Sequence, residues 1–270
     1  YVALCGAAIA LAAVVNIRPK YIAPLFAIAW VPFTYAEMRD YRKATLTAAD
    51  ERRAYVKELS DYIKSTPPST AYLYDGLPSS LHEYGVSGAL YCLTKQPKLT
   101  VAWIGSKNAK DVMNDRNLAI LSWDEIFRKL HVTTRDPSAP YLSYVKVEPG
   151  MPVWQFRDGW YPRENYYRWT TSVAWAVVQR PASARAFEVS VNISPVALAD
   201  VHAINLRVAI DGQPLGSHQF TTPGWQKFQW PVQPGPSTTV EVEFRTDPTY
   251  HAPNDPRTLG VAIGGFGYIQ

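Results

Sequence analysis

From Tyr141 to the C-terminus, apolar residues return at every second position, and that period constrains the chain more than any other feature. Alternation of this kind belongs to half-buried β-strands. Strands are expected over 141–148, 153–156, 166–179, 185–193, 202–210, 216–220, 226–232, 238–245 and 260–269. Turn chemistry separates several of them: Glu148-Pro-Gly, Asp211-Gly212, Pro223-Gly224 and Pro234-Gly-Pro. Glycine there takes φ > 0 without steric cost, and proline presets φ. Many short strands with regular turns imply an antiparallel β-sandwich, jelly-roll-like in type.

Upstream the pattern differs. Short apolar runs at 70–74, 99–104 and 117–123 alternate with helical stretches at 81–93, 107–113 and 124–130. That alternation predicts a small α/β layer, with loops at the carboxyl ends of its strands as the default ligand crevice. Gly105-Ser106-Lys107 lacks the further glycines of a phosphate loop, so nucleotide binding is not supported. A helix is expected over 47–64, opened by Thr47 and Asp50 as a capping-box-like start and closed by Pro67-Pro68. Asp136-Pro137 and Ala139-Pro140 read as a linker.

The first residues are nearly free of charge. Two apolar runs, 1–17 and 21–36, flank Arg18-Pro19-Lys20 and predict a transmembrane helical hairpin, the first arm a truncated span. A signal peptide would need a basic n-region, and a buried hairpin in a soluble protein is the other alternative. Arg18 and Lys20 argue for a cytoplasmic turn, whereas Arg39, Arg42 and Lys43 argue the reverse.

Composition narrows the chemistry. A net charge of +4 over 270 residues, with no basic run interleaved with stacking aromatics, excludes nucleic acid as a partner. The two cysteines, Cys5 and Cys92, form no framework. His82, His131, His202, His218 and His251 show no zinc spacing, so neither metal nor cofactor is expected. Asp247, His251 and Asp255 stand four apart in the last long loop, either around a cation or, more simply, as Asx turns. Ser79-Ser80 with His82 lacks the glycines of a nucleophile elbow. Asp158 with Glu164 as a glycosidase pair competes with ordinary turn acids.

The stretch Trp154 to Thr170, WQFRDGWYPRENYYRWT, concentrates the remaining chemistry. In one reading Trp154, Phe156, Trp160 and Trp169 fill a sandwich core, with Arg168 and Glu164 paired at its rim. In the other, Trp160 and Tyr161 form a platform for pyranose faces while Glu164 and Arg168 fork hydrogen bonds to hydroxyls, and the Asp255–Arg257 loop closes over them. No catalytic residue is assigned.

The run G-W-Y-x-x-E-x-x-x-R-W-T (159–170), followed by D-P-R-T-L-G-V-A-I (255–263), resembles the C-terminal β-domain of bacterial multi-pass GT-C glycosyltransferases of the dolichyl-phosphate-mannose mannosyltransferase type. The resemblance covers mainly residues 140–270. It implies the C-terminal, non-catalytic portion of a bacterial inner-membrane enzyme that uses a polyprenyl-phosphate sugar donor, with the soluble part extracytoplasmic. The family's catalytic acid lies in an early outer loop, outside this sequence. The implied partners are the lipid bilayer and a glycan or polyprenyl-linked sugar, with Trp160, Tyr161, Glu164, Arg168, Asp255 and Arg257 as the glycan-binding candidates. The alternative is a membrane-anchored, non-enzymatic carbohydrate-binding or structural module. Expected domains are 1–43 (transmembrane hairpin), 44–137 (amphipathic helix plus α/β layer) and 138–270 (β-sandwich).

Overall fold

A computed structural model describes the backbone from Ile22 to Gln270, apart from residues 68, 79, 97, 114 and 137, and side chains from Trp30, excepting also Glu83 and Lys110. Two compact units divide at Arg53/Ala54. The first arm of the expected hairpin lies outside the described residues. The second arm belongs to helix α1 (Ile22–Ser65), which runs through Pro32 and through Thr47 without a new start. Thr47 is therefore not a cap; its hydroxyl donates back to the Lys43 carbonyl. Among the described residues no helix is long and apolar enough to cross a membrane. Glu37, Arg39, Asp40, Arg42 and Lys43 follow too closely on the apolar run for a charge-poor span.

The second unit begins with the last turns of α1. Three parallel strands, β1 (Ala71–Tyr74), β2 (Thr100–Trp103) and β3 (Leu118–Asp124), stand in the order β2-β1-β3, and β4 (Lys129–Thr134) adds antiparallel to β3. Helices α2 (Glu83–Thr94) and α3 (Ala109–Met113) connect the parallel strands. Both faces of β1 and β3 are buried, which explains their unbroken apolar runs. Tyr72, Tyr74, Ala119, Leu121 and Trp123 pack with Tyr55 and Leu59 of α1 and Val86 and Leu90 of α2. The helix expected over 124–130 is a hairpin loop instead. The Asp124 carboxylate accepts from the Ile126 and Phe127 amides at 2.9 and 3.0 Å, turning the chain into β4.

The remaining strands are antiparallel. They are β5 (Tyr144–Lys146), β6 (Trp160–Glu164), β7 (Tyr167–Thr170), β8 (Val173–Arg180), β9 (Ala186–Ile193), β10 (Ile204–Ile210), β11 (Gln213–Phe220), β12 (Gly224–Pro231), β13 (Thr238–Asp247) and β14 (Ala262–Ile269). One sheet has the order β11-β10-β13-β8; the other has β12-β9-β14-β7-β6, with β5 also on β14. The molecule is thus dominated by antiparallel sheets in a sandwich-like arrangement, with a few helices. The strand expected over 166–179 breaks at Thr171-Ser172, because β7 and β8 belong to different sheets. The stretch expected as a strand at 153–156 is a 3₁₀ turn, and helix α4 (Pro195–Val201) has no counterpart in the sequence reading. Inward residues of the two sheets, among them Val189, Val191, Leu206, Val242, Phe244 and Phe266, share one buried cluster with Leu73, Leu118 and Ile120.

A buried ion cluster joins the α/β layer to the sandwich. Asp75, at the end of β1, accepts from Arg168 Nη2 of β7 at 2.9 Å, and Arg163 Nε of β6 lies 3.5 Å from the same oxygen. All three side chains are 5% exposed or less. Removing the carboxylate would strand two buried guanidinium groups. Asp75→Ala is expected to cost about 3–5 kcal/mol in urea unfolding of the full chain, with Asp75→Asn milder because an acceptor remains. An unchanged midpoint for Asp75→Ala would remove the cluster from any structural role.

Candidate functional site

The aromatic stretch folds into the β6–β7 hairpin, and the structure divides the candidate residues into two groups. Gly159 (φ +84°) makes the approach possible, since a Cβ there would lie 1.9 Å from the Val173 carbonyl oxygen. The chain therefore turns tightly enough to send Trp160 inward. Its ring stacks on Phe266 at 5.7 Å and meets Phe156 and Phe244 edge-on at 4.9 and 5.6 Å. The indole N–H donates to the Trp175 carbonyl at 2.7 Å, which satisfies its one polar atom. This is the packing role.

Arg168 also turns inward. It is not paired with Glu164; its partners are the Asp75 carboxylate and the Tyr161 carbonyl, and its guanidinium lies over the Phe156 ring at 4.9 Å. Burial pushes its pKa below the ordinary arginine value, against the opposing pull of Asp75.

Tyr161, Glu164, Asp255 and Arg257 come together at the exposed edge of the same hairpin. Arg257 Nη1 donates to Glu164 Oε1 at 2.7 Å, and its Nε and Nη2 donate to the Asp255 carboxylate at 2.9 and 2.6 Å. The guanidinium stands 5.2 Å over the Tyr161 ring, whose hydroxyl donates to the Thr258 carbonyl at 3.0 Å. Glu164 Oε2 accepts from Tyr167 and from the Trp169 indole, both at 3.3 Å. The loop bearing Asp255 and Arg257 is pinned by reciprocal backbone bonds between Tyr250 and Leu259, each 2.9 Å. Side-chain exposure of 37% at Glu164 and 30% at Arg257 leaves the cluster open to solvent on one side.

In that loop the Asp255 carboxylate is taken up by Arg257, and His251 Nδ1 lies 3.1 Å from the Arg257 carbonyl oxygen. The spacing of four thus orders a loop. Among the described residues no group of three His, Cys, Asp or Glu side chains is placed to hold a metal ion. Hydrogen bonds from the Arg257 side chain and backbone lower the Asp255 pKa to about 2 from 3.8, and bonding to Asp255 raises that of Arg257.

Asp75 lies in the loop that follows β1, beside Gly76. Its role had no local signal, because its partners are about ninety positions away. Outside the hairpin, Tyr144, Glu188, Trp225 and Lys227 face outward on β5, β9 and β12. The alternation in Trp225-Gln-Lys-Phe-Gln-Trp was the available signal, and it was read only as strand.

No protein-family model matches the chain, and no curated protein matches it by sequence. Solved structures show partial likenesses. A family 35 carbohydrate binding module from an environmental isolate is 14% identical, covering 50% of this chain and 90% of its own, with a TM-score of 0.27. CBM51-2 (in complex with GlcNAc) and INT domains from Clostridium perfringens ZmpB are 16% identical over 38% of this chain and 21% of theirs, TM-score 0.25. The acetyl xylan esterase Est2A from Butyrivibrio proteoclasticus is 14% identical over 47% of this chain and 32% of its own, TM-score 0.34. The chain thus spans less than a third of the ZmpB and Est2A structures that it matches. TM-scores this low carry no argument about function.

Two outcomes follow from this geometry. Trp160→Ala is expected to cost about 3–5 kcal/mol of stability by cavity formation, read by thermal or urea unfolding; an unshifted transition would place the ring outside the core. Asp255 has a folded pKa below its unfolded value, so its stabilisation is complete above about pH 4. It is lost as pH falls through about 2. Asp255→Asn should therefore flatten the stability–pH curve on the acid side alone, and an identical acid slope in the variant would exclude the linkage.

Proposed function

We propose that the β-sandwich, residues 138–270, is a non-catalytic carbohydrate-binding module of jelly-roll type. The observation that carries this reading is the convergence of Tyr161, Glu164, Asp255 and Arg257, from segments about ninety residues apart, at one solvent-facing edge. Glu164 and Asp255 hold the guanidinium in place, so its orientation is set before a ligand arrives. Each terminal nitrogen of Arg257 carries an N–H beyond those used by its carboxylate partners, available to sugar hydroxyls. The half-buried Tyr161 ring supplies apolar surface beside them. A charged fork next to an aromatic ring suits a hydroxyl-rich ligand, which needs directional donors and flat contact together.

The wider reading attaches this module to a membrane glycosyltransferase that uses a polyprenyl-phosphate sugar, with the sandwich outside the membrane. It rests on the resemblance of residues 159–170 and 255–263, and the carbohydrate-binding modules among the similar structures do not extend it.

The test is a glycan array probed with the full chain. Tyr161→Ala is expected to lower the affinity for whatever glycan is retained by about tenfold or more, with circular dichroism unchanged. An array without a bound glycan, or a Tyr161→Ala chain that binds as tightly as the parent, would overturn the edge cluster as the site.

A further inference from the structure

We propose that the outer face of the six-stranded sheet carries a second, separate binding site, a trough for a neutral oligosaccharide with Trp225 as its stacking surface. It shares only the class of ligand with the edge cluster and does not depend on it.

The trough follows from the strand register. Side chains directly opposite one another across a sheet form transverse rows. One row runs Tyr144, Gly267, Glu188, Gln229, and the next runs Lys146, Gly265, Ser190, Lys227. In both, the position on β14 is glycine: at Gly267 a Cβ would strike the β5 backbone, and at Gly265 it would lie 3.0 Å from the Tyr144 hydroxyl. The Tyr144 side chain therefore crosses β14 to reach Glu188 and bounds the trough on that side, while β12 rises on the other. Four strands at the usual spacing make this face about 14 Å across. The cavity between the walls is about 550 Å³, within the range of small-molecule sites.

Trp225 stands at one end of the trough and is 54% exposed. An exposed indole is ordinarily mobile, but this one is held. It lies against Gly264, where a Cβ would come within 2.6 Å of the six-membered ring, and it meets Tyr167 at 6.3 Å between centroids. Glycine at 264 therefore seats the ring while leaving it in solvent. An aromatic surface fixed in place before binding loses little conformational freedom when a sugar face settles on it.

The floor supplies the polar half. Glu188 is 8% exposed, yet it lies in the open trough. Its carboxylate accepts from the Tyr144 hydroxyl at 2.8 Å and from Gln229 Nε2 at 2.9 Å, and Lys227 Nζ stands 3.6 Å away. Burial pushes its pKa up, but bonds from Gln229 and Tyr144 and the nearby ammonium outweigh that and leave it below the usual carboxylate value. A carboxylate that stays ionised is a strong acceptor for hydroxyl groups. Lys227, 67% exposed, offers donors at the rim.

Charge selects the ligand class. Lys146 is paired with Glu148 at 2.8 Å and Lys227 stands beside Glu188, so the trough has no positive excess with which to hold a polyanion. A purely apolar ligand would strip water from the Lys227 ammonium and from the remaining lone pairs of Glu188 without replacing it. A neutral chain of pyranose rings meets both requirements, stacking on Trp225 and hydrogen-bonding to Glu188, Ser190 and Lys227.

The experiment is calorimetric titration of the full chain with cellohexaose, xylohexaose and mannohexaose at millimolar concentration. At least one is expected to bind, and Trp225→Ala to weaken it by about tenfold or more. Near-UV circular dichroism checks that this variant keeps its fold; Lys227→Ala, on an exposed side chain, is expected to weaken binding several-fold in the same titration. Loss in the Trp225 and Lys227 variants but not in Tyr161→Ala assigns the hexasaccharide to the trough and leaves the edge cluster to its own test on the glycan array. Loss in Tyr161→Ala alone overturns the trough and keeps the edge cluster. Absence of binding by all three hexasaccharides overturns the proposal. So does a change in oligomeric state in Trp225→Ala by analytical ultracentrifugation, which would give the face to a second copy of the chain.

Discussion

Asp75 stands between Arg163 and Arg168, and three side chains so well buried make the joint between the α/β layer and the sandwich a matter of charge as well as apolar contact. One carboxylate cannot neutralise two guanidinium groups. Backbone carbonyls make up the difference: Arg163 donates to those of Asp75, Trp123 and Asn165, and Arg168 to that of Tyr161. Those carbonyls sit at the ends of β1 and β3 and in the β6–β7 hairpin. The hairpin can seat its arginines only if the parallel strands end where they do. Burying charge is costly unless geometry and hydrogen bonding are nearly complete, so the arrangement fixes the hairpin's position narrowly.

That constraint reaches the exposed edge. With Trp160, Arg163 and Arg168 committed inward, Tyr161 and Glu164 are left on the other side of the hairpin, where they meet the loop that carries Asp255 and Arg257. The division of labour within a dozen residues is clear. Trp160 packs with Phe156, Phe244 and Phe266, Arg168 holds the joint, and Glu164 orients Arg257. The outer sheet face is organised by a different device. Glycines on β14 let the Tyr144 side chain cross to Glu188, and one of them also seats the ring of Trp225. Aromatic residues thus serve packing in one place and surface presentation in another, and composition alone does not separate the two.

Period-two alternation and turn residues made the sandwich legible from Tyr141 onward, and unbroken apolar runs located β1, β2 and β3 within a residue or two. These features are local: each strand's own pattern reports whether one face or both are buried. The strand expected over 166–179 was misread because a corner between two sheets leaves alternation intact on both sides of the break. The hairpin loop at Asp124 read as a helix because a side-chain cap on two successive amides carries no periodicity. Helix α1 was divided at Thr47 because a threonine three residues before an acid marks a cap only when the preceding backbone is not already helical.

The sequence by itself determined where most of the strands fall outside the aromatic stretch, that the C-terminal half is an antiparallel sandwich behind an α/β layer, and which loop carries the acid–arginine pair. Only the tertiary structure decided that Trp160 packs against the core while Trp225 stands in solvent. It alone brought Asp75 to Arg168 and Glu164 to Arg257, each across ninety-three positions. The physical reason is that burial and charge pairing are properties of the space between elements. Strand register and sheet crossing set that space, and neither is encoded within any one segment.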